Sequence, residues 1–435
     1  MKDADREDSD TDKDATGRPD APHPGEAAHE LRAGGRALEQ DGDAHWRMTL
    51  YAAWVAQFVC MVGFSFVMPF FPFYIRELGV TEPRLVAIWA GLLATAGGVS
   101  MTAAAPLWGI VADRYGRKPM VQRAMFGGAV ALGLMGLVNN VYQLLALRLL
   151  QGAITGTIAS SVALVSSVTP KARMGYSLGL MQMAVFTGAS VGPWLGGAMA
   201  DHYGYRLPFA VTAGLLLAGG MLVLFGTRER FLRPAAHEAR GAGSIRSLLA
   251  LPGVVTLLIV YFMLNLSGTI VGPIFPLFVE RLMGTSEGAA STTGMLLAAS
   301  GIVAAVAAVI IGRASDRVGY RRVLVLSTAF AALFTIPQAV ARSIGQLLAL
   351  RALFGLAAGG MGPTVNALAA SVVPRDSLGR IYGLTTAASS IGLSIGPAIG
   401  GWLAASAGLQ FPFVAMGAML LALALMVRWR VPAET

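Results

Sequence analysis

Two arginines carry the most chemistry in this sequence. Arg148 and Arg351 stand inside long apolar stretches, 203 positions apart, and open related phrases that end in Gly152 and Gly355. A guanidinium keeps its proton in a protein, so inside an apolar layer it must face a cavity, a partner or the layer's edge. In a cavity it can hold an anionic group or bias a nearby proton. Extending its stem to the edge is the competing reading. Each sits about two turns, roughly 10 Å at 1.5 Å per residue, from one end of its stretch.

A second charged element is also doubled. Gly109, Asp113, Arg114, Gly116 and Lys118 return as Gly312, Asp316, Arg317, Gly319 and Arg321, with Tyr320 in the place of Arg117. Asp113 can pair with Arg117 or meet the positive N-terminus of a neighbouring helix. Gly109 and Gly116 permit close approach and a tight turn. Such a loop can act as a latch between two moving parts. Arg313 alters the charge pattern of the second copy, so Asp316 and Arg317 are expected to play a weaker part.

Acids are scarce where they would matter. The first 46 residues hold 13 of the 24 acidic side chains, and none of the other 11 lies mid-span. Either Asp113 or a span-end residue such as Glu280 or Glu77 takes the proton, or coupling is indirect. The five histidines lie in the tail or in loops, and the single Cys60 rules out an intrachain disulfide framework. No metal site and no cofactor is expected. The Walker A pattern is absent, which argues against ATP-driven pumping by this chain.

The elements that must position these groups are membrane helices. The chain is 55% hydrophobic and 13% charged, against roughly 25% charged in a soluble domain. About 20 apolar residues cross a bilayer, and twelve such spans are predicted: 49–75, 85–111, 120–138, 141–166, 174–200, 206–226, 251–279, 289–312, 322–340, 345–370, 380–405 and 409–428. Basic residues gather in the loops on one side, which makes that side cytoplasmic and puts both termini there. The net charge of +9 is thereby a topology signal, and no nucleic-acid partner is expected. Residues 1–47 read as a disordered acidic cytoplasmic tail. Residues 48–226 and 251–430 form two six-helix bundles joined by a 227–250 linker.

Repeat landmarks recur in order. Pro69 and Pro72 match Pro273 and Pro276; Gly188, Gly192, Pro193, Gly196 and Gly197 match Gly392, Gly396, Pro397, Gly400 and Gly401. Glycines at spacing four make a face for tight helix packing. Gln57, Met61 and Ser65 share a face of span one, and their mates Tyr261, Asn265 and Thr269 share one of span seven. With Gln151, Thr155 and Gln182 they are candidate walls of a central, Met-rich substrate cavity. Helix–helix hydrogen bonding is the alternative for each of them. Two parallel six-span repeats are the plan of a secondary transporter.

Over residues 48–430 the chain resembles the major facilitator superfamily. The Gly109–Lys118 loop resembles its signature between spans two and three. The Arg148–Gly152 and Gly192–Gly197 motifs resemble those of its twelve-span drug:proton antiporters, and residues 66–80 look closest to the MdtG-type multidrug efflux proteins. The resemblance implies an all-α membrane fold, a latch role for Asp113, Arg114 and Arg117, and proton coupling at Arg148 in preference to Arg351. It also implies that the span-five glycine motif seals against leak. The missing intramembrane carboxylate departs from many such antiporters and favours anionic, zwitterionic or neutral substrates. The expected function is proton-coupled export of drugs or other amphipathic small molecules from an inner membrane, by a monomer working with protons and lipid as its partners. A carrier for one organic anion or metabolite, and a non-transporting receptor or scaffold, are the alternatives.

Overall fold

The computed structural model describes residues 46–170, 173–227, 229, 253–372 and 378–431. The acidic tail up to residue 45 and nearly all of the expected linker lie outside the described residues. From Trp46 onward the chain forms one compact unit, and no strand occurs among the described residues.

The first half contains α1 (Trp46–Phe66), α2 (Phe71–Glu77), α3 (Pro83–Tyr115) and α4 (Lys118–Met135). It continues with α5 (Val141–Ile154), α6 (Thr157–Val168), α7 (Met174–Tyr203) and α8 (Leu207–Gly226). The second half repeats the series as α9 (Val254–Ile270), α10 (Phe275–Met283), α11 (Ala289–Val318) and α12 (Tyr320–Thr335). It ends with α13 (Ile344–Gly359), α14 (Met361–Val372), α15 (Leu378–Ala407) and α16 (Phe411–Arg430). Among the described residues ten stretches are long and apolar enough to cross a membrane. Helices α4 and α7 fall short of that mark, the first with Lys118 and Arg123, the second with its many glycines and polar residues. Even their starts are duplicated: Asn140 caps α5 through Gln143 N–H and its mate Ser343 caps α13 through Gln346 N–H, each satisfying a donor the first turn leaves free.

Four spans expected to run unbroken are broken, and at matched places. Span one turns at residues 67–70 between α1 and α2, and span seven passes through a 3-10 turn, Gly272–Ile274, between α9 and α10. Prolines at 69, 72, 273 and 276 withhold donors there and crowd the preceding turn. Span four breaks at Thr155 and Gly156, where Gly156 takes φ +128°, a conformation open only to glycine. Span ten breaks at Gly360, one residue beyond Gly359, the mate of Gly156.

Glycine decides how the bundle closes. Along α7, a Cβ at Gly188, Gly192 or Gly196 would meet the backbone of Phe58, Val62 or Phe66 on α1 at 2.9, 2.6 and 2.3 Å. Gly392, Gly396 and Gly400 of α15 stand in the same relation to α9. The two halves meet where α3 packs on α15 and α7 on α11. There a Cβ at Gly91 would meet Pro397 O at 2.5 Å, and one at its mate Gly294 would meet Pro193 O at 2.1 Å. Gly401 against Ala87 and Gly197 against Ala290 repeat the pattern at 2.4 and 2.2 Å. All of these lie toward one end of the bundle, the far end. Toward the other, the loop end that carries Asp113 and Asp316, nothing stands within 4 Å of a Cβ at Gly109, Gly175, Gly179 or Gly383. Leu107 and Ile110 of α3 are 64% and 69% exposed there. The close glycine contacts between the halves thus lie toward the far end, and none of these loop-end glycines makes one.

Gly196→Ala should therefore destabilise the protein by roughly 1–3 kcal/mol, the usual cost of overpacking, seen as a lower melting temperature in detergent. Gly179→Ala, on the same helix with open space around it, should melt with the parent.

Candidate functional site

Neither intramembrane arginine escapes to the edge. Arg148 stacks its guanidinium on the ring of Phe71 at 4.6 Å and donates from Nη1 to Gln151 Oε1 at 2.8 Å. Arg351 lies 4.2 Å from the ring of Phe275 and 5.6 Å from that of Phe354. Phe71 and Phe275 are themselves repeat mates, so the cation–ring contact is duplicated along with the arginines. An aromatic face attracts a cation through its quadrupole, more strongly where water is excluded. The Nε of each arginine is buried without a partner, so neither cation is fully satisfied. The following glycines bring these helices onto their neighbours: a Cβ at Gly152 would meet Gly97 O at 2.1 Å, and one at Gly355 would meet Ser300 O at 2.4 Å.

Below Arg148 the break in span four is stitched by side chains. Ending α5 at Ile154 deprives the Ala153 carbonyl of its helical donor, and Trp108 Nε1 of α3 supplies one at 2.6 Å. Cys60 Sγ reaches Thr157 Oγ1 at 3.4 Å on the far side of the break. Arg123, in the first turns of α4, packs its guanidinium 3.7 Å from the Trp108 ring. One indole thus ties α3, α4 and α5 together.

The expected cavity faces are used largely for packing. Met61 and Ser65 seat against Gly188 and Gly192, while Asn265 and Thr269 seat against Gly392 and Gly396. Asn265 Nδ2 donates to Tyr261 O, and Thr269 Oγ1 donates to Asn265 O, so both bond within their own helix. Glycine leaves room for these side chains, and their shared face follows. Gln57 is fully buried with both amide atoms unpartnered. Its mate Tyr261 instead donates to Asn366 Oδ1 at 2.5 Å. Sequence reasoning missed Asn366 because its mate is Ala163, so no doubling marks it. Gln151 is buried beside Arg148, and Gln182 is exposed.

At the loop end, Asp113 is exposed and makes no hydrogen bond or ion pair among the described residues. It therefore neither pairs with Arg117 nor caps a helix in this conformation. Glu229 takes the capping place: its carboxylate accepts from Arg117 N–H at 2.9 Å and Lys118 N–H at 2.7 Å. Arg114 leans on the ring of Tyr115, and Asp316 accepts from Tyr320 Oη at 3.0 Å. An uncapped α4, beginning Lys118-Pro119 with no side-chain cap of its own, was the signal that an acceptor must come from elsewhere.

At the far end the charges meet. Arg76 Nη1 pairs with Glu280 Oε1 at 2.6 Å, joining α2 to α10 across the halves. Arg206 Nε donates to Glu77 at 2.9 Å within the first half. Asp201 Oδ2 accepts from the backbone N–H of Ser291 at 2.7 Å and from its hydroxyl, across the seam. Tyr205 sits among them: burial raises its phenol above the ordinary value, and the carboxylates of Asp201, Glu280 and Glu77 push the same way against Arg76. Among the described residues no group of three or more His, Cys, Asp or Glu side chains could hold a metal ion. The arrangement can bind a solute between two rigid halves and admit it from the loop end.

Comparison with known proteins agrees with that geometry. The model of the Major Facilitator Superfamily matches residues 53–288 and 257–435. The chain is 33% identical over 382 residues to the multidrug resistance protein MdtG of Citrobacter koseri, covering 88% of this chain and 94% of the relative. It is 33% identical over 370 residues to that of Serratia proteamaculans, covering 85% and 90%. Among solved structures it is similar to a bacterial homologue of the human lysosomal transporter Spinster in an inward-facing, occupied conformation, with TM-score 0.71, 16% identity and coverage of 87% and 95%. It is similar also to the human organic anion transporter MFSD10, with TM-score 0.66, 16% identity and coverage of 88% and 99%.

Removing the Glu229 cap should cost about 1 kcal/mol. Glu229→Ala should lower the melting temperature, and Glu229→Gln, which keeps an acceptor but loses the charge favoured at a helix N-terminus, should fall between.

Proposed function

Because the chain belongs to the major facilitator superfamily, we propose that it is a secondary active transporter exporting drugs or other amphipathic small molecules by alternating access. It is a membrane transport protein and not an enzyme. The observation that carries the mechanism is the one-ended seam, whose close glycine contacts between the halves lie toward the far end. Drug export draws on the 33% identity to two multidrug resistance proteins over most of both chains.

With α4 and α7 counted as spans, the bundle has the expected twelve. The basic loops put the loop end, and both termini, in the cytoplasm of a cell with this chain in its inner membrane. The conformation described is then the one that loads from inside. Working as a monomer, the chain would close its loop end through Asp113, Arg114 and Arg117, with Gly109 and Gly116 allowing the approach and Asp316 and Arg317 assisting. The cross-half contacts of Gly197 with Ala290 and of Pro193 with Gly294 would part in the same motion and act as the seal, while Gly188, Gly192 and Gly196 hold α7 against α1 within the first half. Coupling to protons is assigned to Arg148, Asp113 and Glu280. Substrate is assigned to the space between the halves beside Gln151, Arg351 and Tyr261, with the packed residues Gln57, Met61, Ser65, Asn265 and Thr269 supporting the helices around it. A second reading, a carrier for one organic anion or metabolite, is favoured by one observation: Arg148 and Arg351 are held inside the bundle, and among the described residues neither is paired with a carboxylate.

Overexpression in a pump-deficient host should raise resistance to several chemically distinct toxic compounds, and a protonophore or Asp113→Asn should abolish it. Unchanged sensitivity to every compound would sink the export reading. In reconstituted vesicles, Arg148→Ala should slow proton-driven uptake by tenfold or more, about 1.4 kcal/mol in the barrier. Uptake at the parental rate would remove Arg148 from the coupling mechanism.

A further inference from the structure

The far-end charges obey a rule that neither half displays alone. Arg76 and Glu280 are repeat mates, 204 positions apart, and they bond to each other. Two mates can touch only where the approximate two-fold symmetry of the halves brings a position onto itself. A faithful duplication would set like charge against like at that place. The chain avoids this by inverting one dipeptide, Arg76-Glu77 in the first half and Glu280-Arg281 in the second.

The flanking bonds follow the inversion. Glu77 bonds Arg206, and its mate Arg281 donates from Nη1 to Gln410 Oε1 at 3.1 Å. Gln410 is the mate of Arg206. With arginine at 281, an arginine at 410 would repel it, and a neutral acceptor stands there instead. Three positions, 280, 281 and 410, thus differ from their mates in a mutually consistent way. The axial pair is 31% and 17% exposed. Arg76 lies 5.8 Å from the ring of Phe73, and a cleft of about 660 Å³ opens beside the pair, lined by Arg84, Arg281 and Ser406.

We propose that Arg76 and Glu280 form an outer lock, an ion pair on the symmetry axis that holds the far end shut, made attractive by the inverted dipeptide. A partly exposed pair is worth little by itself, and both charges rehydrate when it parts, so the lock can open in each cycle. Like charges in the same place would hold it open. The lock rests on the alternating-access reading, and its test is read as a distance without substrate.

Spin labels at Thr81→Cys and Ser286→Cys, one in each half, placed in full-length Cys60→Ser protein in lipid nanodiscs, report the far-end separation. The parent should show a predominantly short distance. Arg76→Glu alone and Glu280→Arg alone should shift the population to longer distances, and the double reversal should return it. Glu77→Gln, whose bond lies within one half, should leave it short. If a single reversal yields no monodisperse protein, Arg76→Gln and Glu280→Gln are measured instead and should widen the distribution, with recovery of monodisperse protein in the double reversal counting as rescue. Unchanged distances in the single variants, or no return in the double reversal, would overturn the lock. Protein that behaves as described yet confers no resistance would lose the export reading and keep the lock.

Discussion

Backbone contact across the seam is the constraint on which the remaining structure depends. Helices separated by side chains can slide and settle at many angles, whereas helices touching through glycine have one close register. Gly91, Gly197, Gly294 and Gly401 fix that register between the halves, and Gly188, Gly192 and Gly196 fix it within the first. Close contact at one end leaves the halves free to diverge at the other. The position of Arg148, the bonding of Ser291 and the meeting of Arg76 with Glu280 all follow from where these glycines put the helices.

Much of this architecture is legible in the residues. The repeat gives two halves, the apolar lengths give the spans, and Arg148 and Arg351 announce themselves by charge where charge is costly. The helix breaks are half legible: Pro69 and Pro273 signal theirs, but Gly156 is one glycine in an apolar run and looks like many others. Glu229 could not be assigned from sequence, because its partner lies 112 positions away and a carboxylate in a linker has no periodicity to read. Nothing in the sequence ties Arg123 to the Trp108 ring on which it packs, because the two lie on different helices. For Met61 and Ser65 the shared face was legible, but not that glycines opposite would absorb it.

Duplication explains the plan and not the function. Gln57 has lost, or never had, the partner that Asn366 provides for Tyr261, and the two halves therefore offer different polar surfaces from the same scaffold. Asp201 bonds across the seam with no counterpart, since its mate is Ala405. A solute held between such halves would meet two unlike walls.

The aromatic rings beneath Arg148 and Arg351 have an electrical consequence. A carboxylate would neutralise each arginine, but a phenyl ring leaves the charge in place, so the bundle keeps two positive charges within the membrane's field. Each elementary charge crossing that field is worth about 2.3 kcal/mol per 100 mV. Under the proposed alternating access, rocking of the halves would carry these charges through part of it. The membrane potential would then act directly on the balance between the two conformations, even before a proton or a solute is bound.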